Sequence, residues 1–152
     1  MTGPFLLDTN ILSEPLRPQP DSGVLAKLRE HPSEIVTAGV VWHEMLFGAY
    51  RLPESARRTA IERYLFDVVR ETLPILDYDD RAAAWHAEER VRLAAIGLTP
   101  SFVHGQIAAI ARVNNCTLVT ANVGDFKHFR DLPLEDWRRS RRAKKSSSRK
   151  KE

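Results

Sequence analysis

Four side chains able to offer oxygen to a metal ion stand just beyond short apolar runs, far apart in the chain. Asp8 follows Phe5-Leu6-Leu7. Glu44 lies one turn into a helical stretch that follows Glu34-Ile35-Val36-Thr37-Ala38. Asn122 and Asp125 follow Cys116-Thr117-Leu118-Val119-Thr120. Packed side by side in one sheet, these runs would bring their ends together. Clustered carboxylates repel unless a positive group joins them. The usual partner of an oxygen-rich cluster is Mg²⁺ or Mn²⁺. Between carboxylates and a phosphodiester, such an ion activates water and stabilises the leaving oxygen. Each residue also has a plainer reading. Asp-Thr-Asn is a common Asx turn, Glu44 a solvated helix residue, and Asp125 a turn residue or helix cap. No competing site stands out: there is no phosphate loop, no Gly-x-Gly-x-x-Gly and no Cys/His zinc spacing. His31, His43, His86 and His128 have no ligand-like spacing.

The elements that would position these residues alternate. Short apolar runs at Phe5–Asp8, Glu34–Ala38, Leu73–Leu76 and Cys116–Thr120 read as strands, with a fifth at Asp131–Leu134. Pro74 argues that the third is an edge. Helices are expected from Asp21 or Ser22 to about His31, over Val40–Tyr50, Glu54–Glu71 and Asp79–Ala95, and from Ser101 to about Asn114. Alternating strands and helices imply an α/β fold, a central parallel sheet covered on both faces. In such sheets ligands bind beyond the carboxyl ends of the strands.

The 152 residues suit one domain with one sizeable core. No apolar run approaches the roughly 20 residues of a membrane span. A single cysteine, Cys116, forms no internal disulfide, which makes the cytoplasm the expected compartment. The net charge of +3 hides two regions. Residues 138–152 carry nine Lys or Arg and one acid, whereas residues 1–137 hold 14 basic and 19 acidic residues. The expected division is a folded domain over 1–137 and a basic, disordered tail over 138–152. The tail lacks the interleaved aromatics of a single-strand groove, so a solvated tail competes with a nucleic-acid arm.

Leu6-Leu7-Asp8-Thr9-Asn10-Ile11-Leu12-Ser13-Glu14-Pro15 resembles the opening motif of PIN-domain nucleases, in their VapC-type toxin branch with its FitB-like members. Trp42-His43-Glu44-Met45-Leu46-Phe47-Gly48-Ala49 resembles the second motif and Thr120-Ala121-Asn122-Val123-Gly124-Asp125-Phe126 the last. The resemblance implies a PIN-like three-layer α/β/α domain and a Mg²⁺- or Mn²⁺-dependent endoribonuclease. It implies a homodimer held inactive by a cognate VapB-type antitoxin. Asp8, Glu44 and Asp125 would be the catalytic acids, with Asn122 orienting a ligand or water. The family's third acid stands three residues before Ile107-Ala108-Ala109, and here that position is His104. A neutral imidazole brings one nitrogen and no negative charge, and hard Mg²⁺ prefers oxygen. His104 also shares a stripe with Ile107, Ala108 and Ala111, so packing is its plainer role. Ala121 stands where many relatives carry Arg. The expectation is an RNA-cleaving toxin impaired at His104; the alternative is a PIN-like protein that binds RNA or antitoxin without cutting.

Overall fold

The structure, a computed structural model, describes residues 3–139. Five strands form one sheet in the order β3-β2-β1-β4-β5. They are β1 (Phe5–Leu7), β2 (Ile35–Ala38), β3 (Ile75–Leu76), β4 (Thr117–Val119) and β5 (Leu134–Glu135), and every pairing is parallel. The central strand β1 is buried throughout, as are β2 and β4. A strand covered on both faces needs a continuous apolar run, which Phe5-Leu6-Leu7 provides. Pro74 precedes β3, which is an edge as expected.

The chain runs outward from β1 through β2 to β3, then returns to add β4 on the other side of β1. The strand order therefore reverses between β1 and β4, where a doubly wound sheet opens its ligand crevice.

Among the described residues there are seven α-helices: α1 (Thr9–Leu12), α2 (Ser22–Glu30), α3 (Gly39–Tyr50), α4 (Ala56–Arg63), α5 (Arg70–Thr72), α6 (Asp80–Ala95) and α7 (Phe102–Val113). Caps fix several starts. Asp21, Ser55, Asp79 and Ser101 each accept a backbone N–H with their side chains, satisfying donors a helix N-terminus leaves free. None of these helices is long and apolar enough to cross a membrane.

Three expectations need correction. The helix over Glu54–Glu71 is not continuous. α4 passes into a π-helical turn, Tyr64–Val69, before α5. That turn buries Leu65 and Val69, and the Tyr64 hydroxyl donates to Leu12 O at 2.6 Å. Wider turns of this kind shift a helix face locally. The fifth strand is Leu134–Glu135 rather than Asp131–Leu134, because Asp131 has a left-handed backbone (φ 56°) that a strand excludes. No helix was expected directly after Asp8, yet Thr9-Asn10 opens α1.

Most of the expected tail lies outside the described residues. Its first two members, Arg138 and Arg139, are held against the body. Arg138 pairs with Asp136, and the Arg139 N–H donates to Asp21 Oδ1 at 2.9 Å.

Candidate metal and nucleic-acid site

β1 ends at Leu7, so Asp8 emerges at the carboxyl edge, beside the switch point. Its backbone N–H still donates to Val119 O of β4 at 2.9 Å, which fixes its position against both strands. Its side chain caps α1: Oδ1 accepts from the Thr9 N–H at 2.8 Å. Oδ2 accepts from the Thr120 hydroxyl at 2.9 Å, across the crevice between β1 and β4. The Asx-turn reading of Asp-Thr-Asn thus describes Asp8 in part, and the same contacts aim the carboxylate.

Glu44 joins through Thr9. α3 begins directly after β2, which puts Glu44 one turn along it, and Glu44 Oε2 accepts from Thr9 Oγ1 at 2.6 Å. Asn10 ties the other flank, its Oδ1 accepting from the Ala121 N–H at 2.9 Å. Thr120 Oγ1 also accepts from the Asn122 N–H at 3.0 Å. Thr9, Asn10 and Thr120 were not among the residues expected to form the site. The available signal is the hydroxyls and amide just past β1 and β4, at Thr9, Asn10 and Thr120, where a buried carboxylate needs partners.

Asp8 is only 6% exposed. Burial pushes its carboxyl above the ordinary range, because the charged form loses water. The Thr9 N–H and Thr120 hydroxyl oppose that rise, the Glu44 charge adds to it, and His104 lowers it. A buried carboxylate whose ionisation a neighbouring negative charge makes costlier is a setting that a cation would relieve.

His104 sits in the first turn of α7, its N–H donating to the Ser101 cap at 3.1 Å. α7 lies close to α6 here, since a Cβ at Gly105 would run into the His86 imidazole. The half-buried His104 ring packs on Phe126, with centroids 4.9 Å apart. Its packing role and its nearness to Asp8 therefore coexist. Asn122 is exposed, and its carbonyl accepts from the Asp125 N–H at 3.0 Å in the 3₁₀ turn Val123–Asp125. Asp125 is exposed on that turn and makes no contact with Asp8 or Glu44 among the described residues. The structure thus ties Glu44 to Asp8 through Thr9, leaves His104 near enough for its charge to be felt at Asp8, places Asn122 one hydrogen bond from Thr120, and leaves Asp125 exposed on its turn.

The donor set suits a hard divalent ion only in part. Asp8 and Glu44 offer carboxylate oxygens, each with lone pairs beyond the hydrogen bonds above. His104 offers nitrogen. Among the described residues no three His, Cys, Asp or Glu side chains close around one point. A groove of about 460 Å³ opens from Thr9 and Glu44, with Arg51 and Arg57 as cations on its walls and Leu16 and Ile61 as apolar ones.

The PIN domain model matches residues 5–132. Toxin FitB of Neisseria gonorrhoeae is 31% identical over 125 residues, covering 80% of this chain and 90% of that protein. The tRNA(fMet)-specific endonuclease VapC of Shigella flexneri is 29% identical, covering 88% and 97%. The crystal structure of FitAcB from Neisseria gonorrhoeae superposes with a TM-score of 0.80 at 29% identity, covering 87% of this chain and 96% of that one. Fold, strand-end carboxylates and relatives agree: the chain belongs to the PIN-domain family, in its VapC and FitB toxin–antitoxin ribonuclease branch.

Proposed function

We propose that this chain is the toxin of a type II toxin–antitoxin pair, a cytoplasmic endoribonuclease weakened at one position of its site. The observation that carries this reading is the Asp8 carboxylate, buried at the switch point and held from both sides by Thr9 and Thr120, with Glu44 tied to the same threonine. Asp8 and Glu44 would hold Mg²⁺ or Mn²⁺ directly, and His104 stands where a third oxygen ligand belongs. Asn122 and Asp125 would act from the rim, through water. When bound, the ion supplies an activated water and charge stabilisation for the leaving oxygen of an RNA phosphodiester. The residues themselves do the positioning. Thr120 keeps Asp8 aimed into the crevice, and Thr9 spaces Asp8 from Glu44. The partners are RNA, a VapB-type antitoxin able to cover the groove beside Glu44, and a second copy of the chain. The PIN domain occupies residues 1–137, and the basic segment 138–152 follows it, its first two arginines held against the domain.

A second reading, binding without cleavage, is favoured by His104 packed on Phe126 and by the lack of a three-ligand group among the described residues. Total RNA incubated with this chain, its His104→Asp version and its Asp8→Asn version, in Mg²⁺, Mn²⁺ or chelator, separates the two. Metal-dependent cuts that map to the same sites for the first two proteins and vanish with Asp8→Asn support the ribonuclease. RNA left intact by all three overturns it in favour of binding alone.

A further inference from the structure

α3 and its C-cap Arg51 show three rows of side chains in three directions. Val41, Met45 and Ala49 are buried. Glu44, Gly48 and Arg51 line the groove beside the candidate site. His43, Phe47 and Tyr50, spaced so that they fall on one face of a helix, point away from the buried row and carry three aromatic rings to the surface. Phe47 is 54% exposed and Tyr50 50%, so neither ring fills the core. A lone exposed apolar side chain needs no explanation, but two large rings on one stripe beside a cluster of carboxylates mark a surface that meets something.

Each ring has a guanidinium on it. Arg51 Cζ stands 4.7 Å from the centre of the Phe47 ring, and Arg58 Cζ 5.5 Å from that of Tyr50. The His43 ring lies 6.3 Å from Phe47. A cation over an aromatic face is attracted by its quadrupole, so each pair holds both partners in place. Arg58 is fixed further by Glu62 Oε1 and Leu52 O, each at 3.2 Å. Arg51 meets Phe47 and no carboxylate among the described residues, so its charge is not cancelled. The stripe starts at His43, next to Glu44 in the chain, and runs about 10 Å along α3. Arg51 also lines the groove that opens at Glu44, so the stripe and the groove share a wall.

We propose that Phe47 and Tyr50, with Arg51, form a stacking platform for the bases of single-stranded RNA whose backbone passes Glu44 and Asp8. The choice of RNA rests on the ribonuclease reading; the exposure of the rings and their pairing with arginine do not. Unpaired bases stack on aromatic faces and on guanidinium planes, and this stripe offers both. Arg51 gives the neighbouring phosphates a cation on a body that is acidic, with 14 Lys or Arg against 19 Asp or Glu in residues 1–137. Every base has a π-face, so the platform is tolerant of sequence. A duplex keeps its bases stacked on one another, so the platform favours single strands and loops over paired RNA.

The test compares three full-length chains in chelator, so that no metal-dependent cleavage occurs. One is unaltered. The second carries Phe47→Ala and Tyr50→Ala together. The third carries Phe47→Tyr and Tyr50→Phe, which exchanges the rings and keeps both. Binding of a labelled single-stranded RNA is followed by fluorescence anisotropy across a salt series, and the mass of each protein by sedimentation. Removing one stacking ring costs about tenfold or more, so the Ala protein should bind about 10²-fold more weakly. Its slope of log affinity against log salt should stay within about 0.7, one single-strand phosphate contact, because the loss is of stacking and not of charge. The ring-exchanged protein should bind as the parent does. That pattern, with mass unchanged, supports the platform. Affinity of the Ala protein within about threefold of the parent overturns it and leaves the ribonuclease reading standing. A loss that comes with a collapse of the salt slope, or that the ring-exchanged protein shares, overturns it too. So does a loss that comes with a fall from dimer to monomer, which would give the stripe to a second copy of the chain. An unaltered chain that binds no RNA overturns both the platform and the ribonuclease reading.

Discussion

On the β1 side of the crevice, Asp8, Thr9, Glu44 and Thr120 are joined by hydrogen bonds of 2.6 to 2.9 Å. On the α7 side, His104 packs on Phe126, and Asp125 lies exposed on a turn without contact to either carboxylate. Both halves sit on the same sheet edge and derive from matching motifs, yet only the first is a connected polar network. The difference teaches that one sheet edge can hold one flank by polar contacts and the other by packing. The β1 half is built from groups whose burial demands partners, so it stays ordered with or without a ligand. The α7 half is held by aromatic packing of the His104 ring on Phe126.

The largest expected effect comes from placing an acid at position 104. His104→Asp places an oxygen ligand opposite Asp8 and Glu44. Loss of one preorganised electrostatic contact commonly costs about 10²-fold or more in rate, so metal-dependent RNA cleavage should rise by about that factor. The fold should tolerate the change, because an acid in the first turn of α7 gains about 0.3–1 kcal/mol from the helix dipole. Equal cleavage by both proteins would show that the two halves do not differ at position 104.

Next is Asp8→Asn, which attacks the connected half. Mn²⁺ affinity, measured by calorimetry, should fall at least about tenfold, or about 1.4 kcal/mol. The fold should not suffer. The carboxyl is raised above its ordinary value of 3.8. Its contribution to stability is therefore complete below that value and lost as pH rises through the folded-state value. At neutral pH the ionised form works against folding, so the Asn protein should melt at or above the parent. Unchanged Mn²⁺ affinity would remove the metal reading of Asp8.

Much of the connected half was legible because it is local. An apolar run ending in an acid is a strand that delivers Asp8 to the sheet edge, and it shows in four residues; that Asp8 also caps a helix does not. The parallel order followed from alternation, and Pro74 marked the edge. Three things were not legible. Thr120 reaches Asp8 across 112 positions of sequence, and nothing near it in the chain announces the pairing. The π-helical turn at Tyr64–Val69 comes with a hydrogen bond from the Tyr64 hydroxyl to Leu12 O, a tertiary contact that local helix propensity does not report. Arg138, assigned to the tail by its charge, belongs by its contacts to the body. Composition reports the sign of a segment and not where it is rooted.

A third change tests what holds the α7 half from outside. Glu89, on α6, is buried. Its carboxylate accepts from Arg92 at 2.7 and 2.8 Å and from the Arg130 N–H at 2.7 Å, while Arg92 donates to His128 O at 2.7 Å. This pins the loop just after Asp125 and Phe126. The Arg92 hydrogen bonds, ahead of the Arg130 N–H, hold the Glu89 carboxyl below its ordinary value of 4.5. Its stabilisation is therefore present above pH 4.5 and lost as pH falls through the lower folded-state value. Glu89→Gln should cost about 1–3 kcal/mol at neutral pH, and the gap in melting temperature from the parent should narrow in acid. A gap that persists unchanged in acid would mean that shape, not charge, holds the loop.

The smallest effect is expected at Asp125, and it sharpens the contrast most directly. Asp125→Asn removes the same charge as Asp8→Asn from the same sheet edge. Asp125, however, is exposed, and its side chain touches neither carboxylate among the described residues. Exposed charges interact through water, where separation and salt reduce their pull to well under 1 kcal/mol. Mn²⁺ affinity should therefore change by less than about threefold, and the remaining effect should shrink further as salt is raised. The turn itself should hold, since it is closed by the Asp125 N–H on Asn122 O rather than by the carboxylate. Run in parallel, the two substitutions measure the asymmetry of the site as a ratio of affinities. A tenfold loss at Asp125, equal to that at Asp8, would mean that the turn closes over the ion when it binds, and that the two halves become one site only then.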